Sequence, residues 1–208
     1  MILIGQYDSS FVRRIGIVLR LYQIPFEHRP WSTFGDAEKI KAFNPLIRVP
    51  TLVLDDGGVL VDSFSIIDHL DSMAPEERRM FPVDEPARRQ ALRIAGLATG
   101  LADKGVALFY ETRFHENVSE TWAARCRAQI LGTLDVLEQD RGRQTGPCWF
   151  GDRIGHADIA VACALRHVSD SHPGLIAFDR LPALAAHCER LEAMPVFQEI
   201  QQPFIPPS

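Results

Sequence analysis

The sequence lacks an excess of basic residues and lacks a long hydrophobic run. Lysine and arginine together number 22 against 27 aspartate and glutamate residues, so the formal net charge is −5. Proteins that bind DNA or RNA concentrate positive charge on one surface, and a helix needs about 20 apolar residues to span a bilayer. We therefore expect neither a nucleic-acid partner nor a membrane partner.

Cysteine is also scarce. The four cysteines all lie in the C-terminal half, and none forms a CxxC pair or the Cys/His spacing of a metal site. The seven histidines show no ligand spacing either. The opening "MILIGQY" is too short for a secretory signal. We therefore expect no metal, buried cysteines in a reducing compartment, and a cytoplasmic location.

The N-terminal part of the chain predicts an alternation of strands and helices. "ILIGQY" predicts a strand, and a helix should follow, because apolar residues recur at helical spacing at Phe11, Ile15, Val18 and Tyr22. We expect Arg13, Arg14 and Arg20 on the other face of this helix. "FEHR" predicts a second strand, and "FGDAEKIKAF" predicts a polar helix that ends before Asn44-Pro45, because the residue before a proline disfavours the α region.

A hairpin and a third helix complete this part. "TLVL" and "VLVD" flank "DDGG", whose glycines supply the positive φ angles of a tight turn, so the third and fourth strands should be antiparallel neighbours. Ser63 opens "FSIIDHLDSM", which predicts a helix with Ser63 as its N-cap. The predicted order is βαβαββα over residues 1–75.

The rest of the chain predicts a linker and then helices only. Residues 76–86 are charged and contain prolines without a sustained apolar period, which suits a linker. Four helical patterns follow over residues 87–208, and "HADIAVACALRHV" is so apolar that it should be buried. The closing "QQPFIPPS" is too rich in proline to continue a helix. The fold class is therefore an α/β domain followed by an all-α domain.

Two dipeptides carry most of the chemical information. Pro50 directly precedes a predicted strand, and a cis Val49-Pro50 bond would turn the backbone N–H and C=O of Val49 towards an extended peptide ligand. Asp62-Ser63 opens a helix, where free N–H groups and a hydroxyl favour an anion and the neighbouring carboxylate favours a cation. A carboxylate and an amine side by side describe an amino acid.

Taken together, the motifs resemble those of the glutathione S-transferase family over essentially the full length of the chain. They are "SSFVRR" after the first strand, "NPLIRVPTL" before the third, "DS" at the third helix, a charged linker, an all-helical second half and "HADIA" in its buried helix. The resemblance implies a thioredoxin-like N-terminal domain that holds glutathione, a helical C-terminal domain, and a homodimer.

The resemblance also implies roles for individual residues. Val49, with Pro50, would pair with the cysteinyl part of glutathione, Asp62 and Ser63 would hold the γ-glutamyl end, and Arg48 would meet the glycyl carboxylate. Trp31 lies in a loop where other members reach that carboxylate, although a packed tryptophan is the alternative. Asp158 matches a structural acid at the start of the buried helix, where Gly155 replaces the usual Ser or Thr and leaves the reciprocal capping box incomplete.

The thiol of glutathione needs an activator, and three hydroxyls are candidates. By the resemblance, Ser9 occupies the place of the family's catalytic serine, Ser10 stands where the family commonly has proline, and Tyr7 lies near the position of the phenol in other classes of the family. One hydrogen bond to a thiolate supplies about 1.5–3 kcal/mol, so either residue type suffices energetically. We favour Ser9. No cysteine stands in the motif, which argues against branches that need a mixed disulfide.

The electrophile site is the least determined part of the sequence. By the resemblance, Phe11, Tyr110, Arg113 and Phe114 would face the cleft between the domains. The expected activity is a glutathione transferase acting on a small hydrophobic electrophile. A glutathione-dependent isomerase or dehalogenase and a non-catalytic glutathione-binding scaffold are the alternatives.

Overall fold

In the computed structural model, which describes residues 1–206, the chain forms four β-strands and eight α-helices. In chain order these are β1 Ile2–Ile4, α1 Ser10–Leu21, β2 Glu27–Arg29, α2 Ala37–Lys41, β3 Thr51–Val53, β4 Val59–Val61, α3 Ser63–Met73, α4 Glu85–Phe114, α5 Glu120–Gly142, α6 His156–Ser171, α7 Pro182–Glu192 and α8 Pro195–Glu199. The order confirms the predicted βαβαββα arrangement followed by helices. Within residues 1–206, no helix is long and apolar enough to cross a membrane.

The chain divides into two compact units. Unit 1 comprises residues 1–80 together with the C-terminal segment from Met194, and unit 2 comprises Phe81–Ala193. This division differs from the predicted one at both ends of the predicted linker, residues 76–86. Met80 belongs to unit 1, where its N–H donates to the carboxylate of Asp71 at 2.9 Å. Helix α4 already begins at Glu85, inside the predicted linker 76–86.

The sheet of unit 1 has the strand order β2-β1-β3-β4. Strand β1 runs parallel to β2 and antiparallel to β3, and β3 runs antiparallel to β4, which confirms the predicted hairpin. The register places Arg29, Ile4, Thr51 and Val61 in one row across the sheet. The loops after β1, β2 and β4 and the loop before β3 therefore lie at one edge.

Helix α1 buries part of its charged face. Arg20 is exposed, but Arg13 and Arg14 are only 3% and 1% exposed. The Arg13 guanidinium donates to the carbonyl oxygens of Phe197 and Ile200. Arg14 donates to the Ser63 hydroxyl at 3.3 Å. The helical period correctly identified the apolar face, but long-range partners bury two of the three arginines on the polar face.

Unit 2 is a bundle in which α4 packs against α5 and α6. Most residues of α6 are buried, as its apolar sequence predicted. A β-carbon at Gly105 would lie 2.8 Å from a methyl carbon of Val168, so glycine allows α4 and α6 to approach closely. The core of this unit is therefore built around α6.

Candidate functional site

The sequence motifs meet at one edge of the sheet in unit 1. Because Ile4, Thr51 and Val61 share a row, the loop that follows β1, the Val49-Pro50 step before β3 and the Asp62-Ser63 step after β4 emerge together. Segments separated by more than 50 residues in the sequence thus supply one site. The predicted grouping of these motifs follows from the register of the strands.

Ser9 occupies the N-cap position of α1. Its φ and ψ angles of −71° and 119° are extended, and its carbonyl oxygen accepts from the N–H of Arg13 at 2.9 Å. Among the described residues, the Ser9 side chain makes no capping hydrogen bond, and the first turn of α1 contains no acidic residue. The hydroxyl and the positive end of the helix dipole therefore remain for an anionic ligand.

The other two candidate hydroxyls are less suitably placed. Ser10 is 4% exposed, and its Oγ is buried without a hydrogen-bond partner among residues 1–206. A β-carbon at Gly16, two turns along α1, would lie 2.9 Å from the Tyr7 ring. Burial raises the pKa of the Tyr7 phenol to about 12, and Arg20 and Glu199 are its charged neighbours. Neither placement favours Ser10 or Tyr7 as the activator of a thiol.

Tyr7 has a packing role instead. Its ring stacks on the His28 imidazole with centroids 3.8 Å apart and planes 13° apart. The His28 Nε2 lies 2.8 Å from the carbonyl oxygen of Gly5, and burial lowers the pKa of this imidazole. The Tyr7–His28 stack thus joins the loop after β1 to strand β2.

The Val49-Pro50 bond is cis, which confirms the prediction. No backbone hydrogen bond outside the helices and strands of residues 1–206 uses the N–H or C=O of Val49. Gly5, with φ of +128°, lies opposite, and a β-carbon there would stand 2.8 Å from the β-carbon of Val49. Glycine is required at this position because the two loops touch.

Asn44 holds this loop, a role that sequence reasoning missed. Its buried side chain donates to the Arg48 carbonyl oxygen at 2.9 Å and to the Thr51 hydroxyl at 3.0 Å, and it accepts from the Leu46 N–H at 3.0 Å. The Thr51 hydroxyl donates to the same Arg48 oxygen. The Asn-Pro pair was visible as a turn signal, but these partners depend on the folded loop.

The start of α3 corrects the predicted cap. Asp62, with φ of 71°, is the N-cap, and its carboxylate accepts from the Phe64 N–H at 2.8 Å. Ser63 is instead the first helical residue and is buried, and its hydroxyl accepts from Arg14. An aspartate accepts the N–H two residues later as well as a serine does, and the strand ends one residue earlier than predicted. The Asp62 carboxylate is still exposed beside the helix N-terminus.

Arg48 and Trp31 differ in exposure. The Arg48 side chain is exposed. Trp31 is half-buried against an apolar cluster that includes Ile4 and Ile40, and the Arg29 guanidinium carbon lies 5.4 Å from its ring centroid. This packing corresponds to the alternative interpretation of Trp31.

The predicted electrophile residues fall in both units. Phe11 is half-buried at the start of α1 in unit 1. Tyr110, Arg113 and Phe114 lie in the last turns of α4 in unit 2, where the rings of Tyr110 and Phe114 are 39% and 42% exposed with centroids 5.5 Å apart. The structure therefore shows an exposed aromatic pair at the end of α4.

Unit 2 contains a buried polar cluster around the start of α6. The Asp158 carboxylate accepts from the N–H groups of Gly155 and Trp149, both at 2.9 Å. Burial raises the pKa of Asp158. His187 Nε2 lies 3.4 Å from Asp158 Oδ1, and Arg141 donates to its Nδ1 at 3.2 Å. The predicted structural role of Asp158 is confirmed, whereas its partners 9 and 29 residues away had no signal in the sequence.

The part of the chain that the structure describes contains no set of side chains that could ligate a metal ion. No group of three or more histidine, cysteine, aspartate or glutamate side chains is arranged to hold an ion there.

Comparisons with known proteins agree with the geometry. The glutathione S-transferase N-terminal domain family matches residues 3–78, and the C-terminal domain family matches residues 120–190. The chain is 33% identical over 172 residues to the uncharacterized GST-like protein YibF of Escherichia coli K12, covering 81% of this chain and 82% of that protein. It is 26% identical to maleylacetoacetate isomerase of Pseudomonas aeruginosa, covering 93% of this chain and 92% of the relative.

A solved structure extends the likeness to the whole fold. A glutathione S-transferase from Methylobacterium radiotolerans, in complex with glutathione sulfonate, matches with a TM-score of 0.92 and 29% identity. The match covers 100% of this chain and 97% of the other. The chain belongs to the glutathione S-transferase family.

Proposed function

We propose that this protein is a glutathione transferase that binds glutathione at the sheet edge of unit 1 and uses the Ser9 hydroxyl to stabilise its thiolate. The observation that carries the proposal is the Ser9 hydroxyl, which does not cap the helix at whose start it lies. Ser9 stands at a helix start with an extended backbone, yet its hydroxyl makes no capping hydrogen bond among residues 1–206. An N-cap serine normally uses its hydroxyl for the helix, so this one is available to a ligand.

The surrounding groups suit the rest of the glutathione molecule. The N–H and C=O of Val49 would pair with the cysteinyl backbone in the manner of an added strand. The exposed Asp62 carboxylate would meet the γ-glutamyl amine, and the N-terminus of α3 with Ser63 would meet its carboxylate. Arg48 would meet the glycyl carboxylate. Similar solved proteins that contain glutathione or its sulfonate support this assignment.

The energy required is within reach of these groups. A free thiol with a pKa of about 8.5 is only a few per cent ionised at pH 7, and lowering that pKa by about two units requires roughly 2.7 kcal/mol. A hydrogen bond from Ser9 to the thiolate supplies about 1.5–3 kcal/mol. The dipole of α1 adds about 0.3–1 kcal/mol. The thiolate then attacks the electrophile, with glutathione already oriented by its backbone contacts.

The test is the ultraviolet thiolate absorbance of bound glutathione as a function of pH. We expect the wild type to lower the thiol pKa by about two units and Ser9→Ala to reverse most of that change. Ser10→Ala is the matched control and should leave the thiol pKa as in the wild type. A wild-type thiol that titrates near 8.5 would refute thiol activation. A lowered pKa that survives Ser9→Ala would refute the role of Ser9.

Isomerisation is a second candidate because several relatives carry that name. They include maleylacetoacetate isomerase of Pseudomonas aeruginosa and a probable maleylacetoacetate isomerase of Caenorhabditis elegans. The same thiolate would add to the substrate and then leave. Glutathione consumption separates the reactions, since a conjugation consumes one glutathione per turnover and an isomerisation consumes none. Halide release would identify a dehalogenase.

A non-catalytic scaffold is the remaining alternative. It predicts either no retention on immobilised glutathione or retention with an unshifted thiol. The proposed enzyme should be retained, and free glutathione should elute it. Asp62→Ala should weaken retention, because the γ-glutamyl amine loses its carboxylate partner.

Three further elements belong to the same proposal. The candidate contacts of the electrophile are Phe11, Tyr110, Arg113 and Phe114. Tyr110→Ala should raise the KM for the electrophile without raising the KM for glutathione.

We also propose a homodimer, which light scattering at micromolar concentration tests. The proposed location is cytoplasmic, which cell fractionation tests.

A further inference from the structure

The C-terminal segment 194–206 belongs to unit 1 and follows helix α1 along its length. Glu199 pairs with Arg20 at 2.8 Å, near the C-terminal end of α1. Ile200 lies against Gly16 in the middle, where a β-carbon would stand 2.8 Å from the Ile200 Cγ2. The following residues continue towards the N-terminal end of α1, where Ser9 stands.

The buried Arg13 fixes the start of this segment. Its Nε donates to the Ile200 carbonyl oxygen at 2.8 Å, and its Nη2 donates to the Phe197 carbonyl oxygen at 3.0 Å. The guanidinium carbon also lies 5.4 Å from the centroid of the Phe197 ring. A cation at the last carbonyl groups of a helix is a favourable partner for α8. Residues beyond Ile200 therefore leave from a fixed point on α1.

The turn before Ser9 is joined to the segment at both of its central residues. The Ser9 N–H donates to the Gln6 carbonyl oxygen at 3.2 Å, which makes residues 6–9 a turn with Tyr7 and Asp8 at its centre. The Tyr7 N–H donates to Gln202 Oε1 at 2.9 Å. The Ile205 N–H donates to Asp8 Oδ2 at 3.0 Å.

We propose that Gln202 is a positioning residue for thiol activation: by accepting the Tyr7 N–H, it holds the 6–9 turn in the conformation that directs the Ser9 hydroxyl to the sulfur. This inference rests on the proposed function of Ser9. Gln202 itself touches no reacting atom. Its effect passes through the backbone of the turn to the residue that ends the turn.

The physical reason is the steep dependence of a hydrogen bond on geometry. A hydroxyl displaced by a few tenths of an ångström, or turned away from the donor direction, loses a large part of its interaction with a thiolate. A turn with a backbone N–H that has lost its acceptor populates more conformations. The fraction of molecules with Ser9 in the productive orientation then falls.

The first arm of the experiment measures the turn without any ligand. Gln202→Leu removes the acceptor and keeps a side chain of similar length, and Gln202→Glu restores an acceptor oxygen. We expect amide hydrogen exchange at Tyr7 to become several-fold faster in Gln202→Leu and to return towards wild type in Gln202→Glu. Gln201→Leu is the matched control, because the exposed Gln201 side chain donates, within residues 1–206, only to the Gln198 carbonyl oxygen of its own segment.

The second arm measures the chemistry in the complete chain. In Gln202→Leu, the thiol pKa of bound glutathione should rise by roughly half a pH unit to one, which is about a three- to tenfold loss of thiolate below that pKa. The activity deficit should diminish as the pH rises, and the KM for glutathione should change less than about twofold, because the residues that hold the peptide are unaltered. Thermal unfolding of the variant should match the wild type.

The double variant Ser9→Ala/Gln202→Leu separates this inference from the proposed function. If Gln202 acts through Ser9, the double variant has the thiol pKa of Ser9→Ala alone. A Gln202→Leu variant with the wild-type thiol pKa overturns the positioning role, even if amide hydrogen exchange at Tyr7 becomes faster. An additive effect in the double variant also overturns it. If Ser9→Ala itself leaves the thiol pKa unchanged, the proposed function fails in that arm, and the positioning role fails with it.

Discussion

At the start of α6 a buried carboxylate accepts from the N-cap N–H of Gly155 and from the N–H of Trp149 in the preceding loop, whereas α1 begins with a serine whose hydroxyl makes no capping bond within residues 1–206. Asp158 in the first turn of α6 accepts from Gly155 and Trp149. The first turn of α1 contains no acid, and the Ser9 side chain caps nothing there. The comparison indicates that the start of α6 serves the stability of unit 2, whereas the start of α1 keeps a hydroxyl that the proposed function assigns to a ligand.

The largest expected effect concerns stability at α6. Asp158→Ala should lower the free energy of unfolding by about 3 kcal/mol, because two N–H groups lose a charged acceptor inside the protein. Urea unfolding measures this loss. Asp84→Ala is the control, since Asp84 caps α4 at an exposed position with a bond of 3.4 Å, and we expect a loss of about 0.5–1 kcal/mol. Equal losses in the two variants would contradict the special role of Asp158.

The pH dependence of stability tests the same cluster. Burial, with the neighbouring Arg141 and Arg190, lowers the pKa of His187 to about 3. Between pH 6.5 and 3 the unfolded chain therefore binds a proton that the folded chain does not, so this residue makes stability fall as the pH falls, by about 1.4 kcal/mol per pH unit. The raised pKa of Asp158 acts in the opposite direction between its ordinary value and its folded value.

The His187 contribution is isolated by a variant that does not titrate. His187→Asn keeps an acceptor for Arg141 and should have a flatter dependence of unfolding free energy on pH below 6.5 than the wild type. Chemical denaturation at pH 7, 6 and 5 measures both. Parallel curves for the two proteins would show that His187 is protonated as easily in the folded state as in the unfolded chain.

A smaller effect on stability is expected at α1. Ser9→Ala should change the free energy of unfolding by less than about 0.5 kcal/mol, because no capping bond is lost. Ser119→Ala should cost about 1 kcal/mol, since Ser119 caps α5 by accepting from the Trp122 N–H. If Ser9→Ala destabilised the protein as much as Ser119→Ala, the conclusion that the Ser9 hydroxyl has no capping role would be wrong.

The smallest effect is expected at Tyr7. Tyr7→Phe keeps the ring on His28 and removes only a hydroxyl whose charged neighbours are Arg20 and Glu199. The thiol pKa of bound glutathione should therefore stay within about 0.3 unit of the wild type, and the kcat within about twofold. A loss comparable to that of Ser9→Ala would reassign the activator to the phenol.

Local sequence patterns predicted some features of the candidate site and missed others. The cis Val49-Pro50 bond, the hairpin and the helix after the first strand were predicted, because each depends on a few neighbouring residues. The cap of α3 was placed one residue too late, at Ser63 instead of Asp62. Aspartate and serine are equally good caps, so only the end of β4 decides between them.

Long-range partners explain what the patterns missed. Arg13 was expected on the face of α1 away from the apolar residues, but nothing in the pattern indicated its burial, because its partners Phe197 and Ile200 are 184 and 187 residues away. The Tyr7 N–H reaches an acceptor 195 residues along the chain. The proline content of the last residues correctly argued against a helix over residues 201–206, whereas residues 207–208 lie outside the described structure. It held no information about where the segment would lie.

The sequence by itself determined the order of strands and helices and the motifs that identify the family, because periodicity, turn residues and short motifs are local properties. The tertiary structure alone decided which hydroxyl is left without a capping role, which arginines are buried, and that the C-terminal segment belongs with the first helix. These depend on contacts between distant residues, and their free energy exists only when the chain brings both partners together.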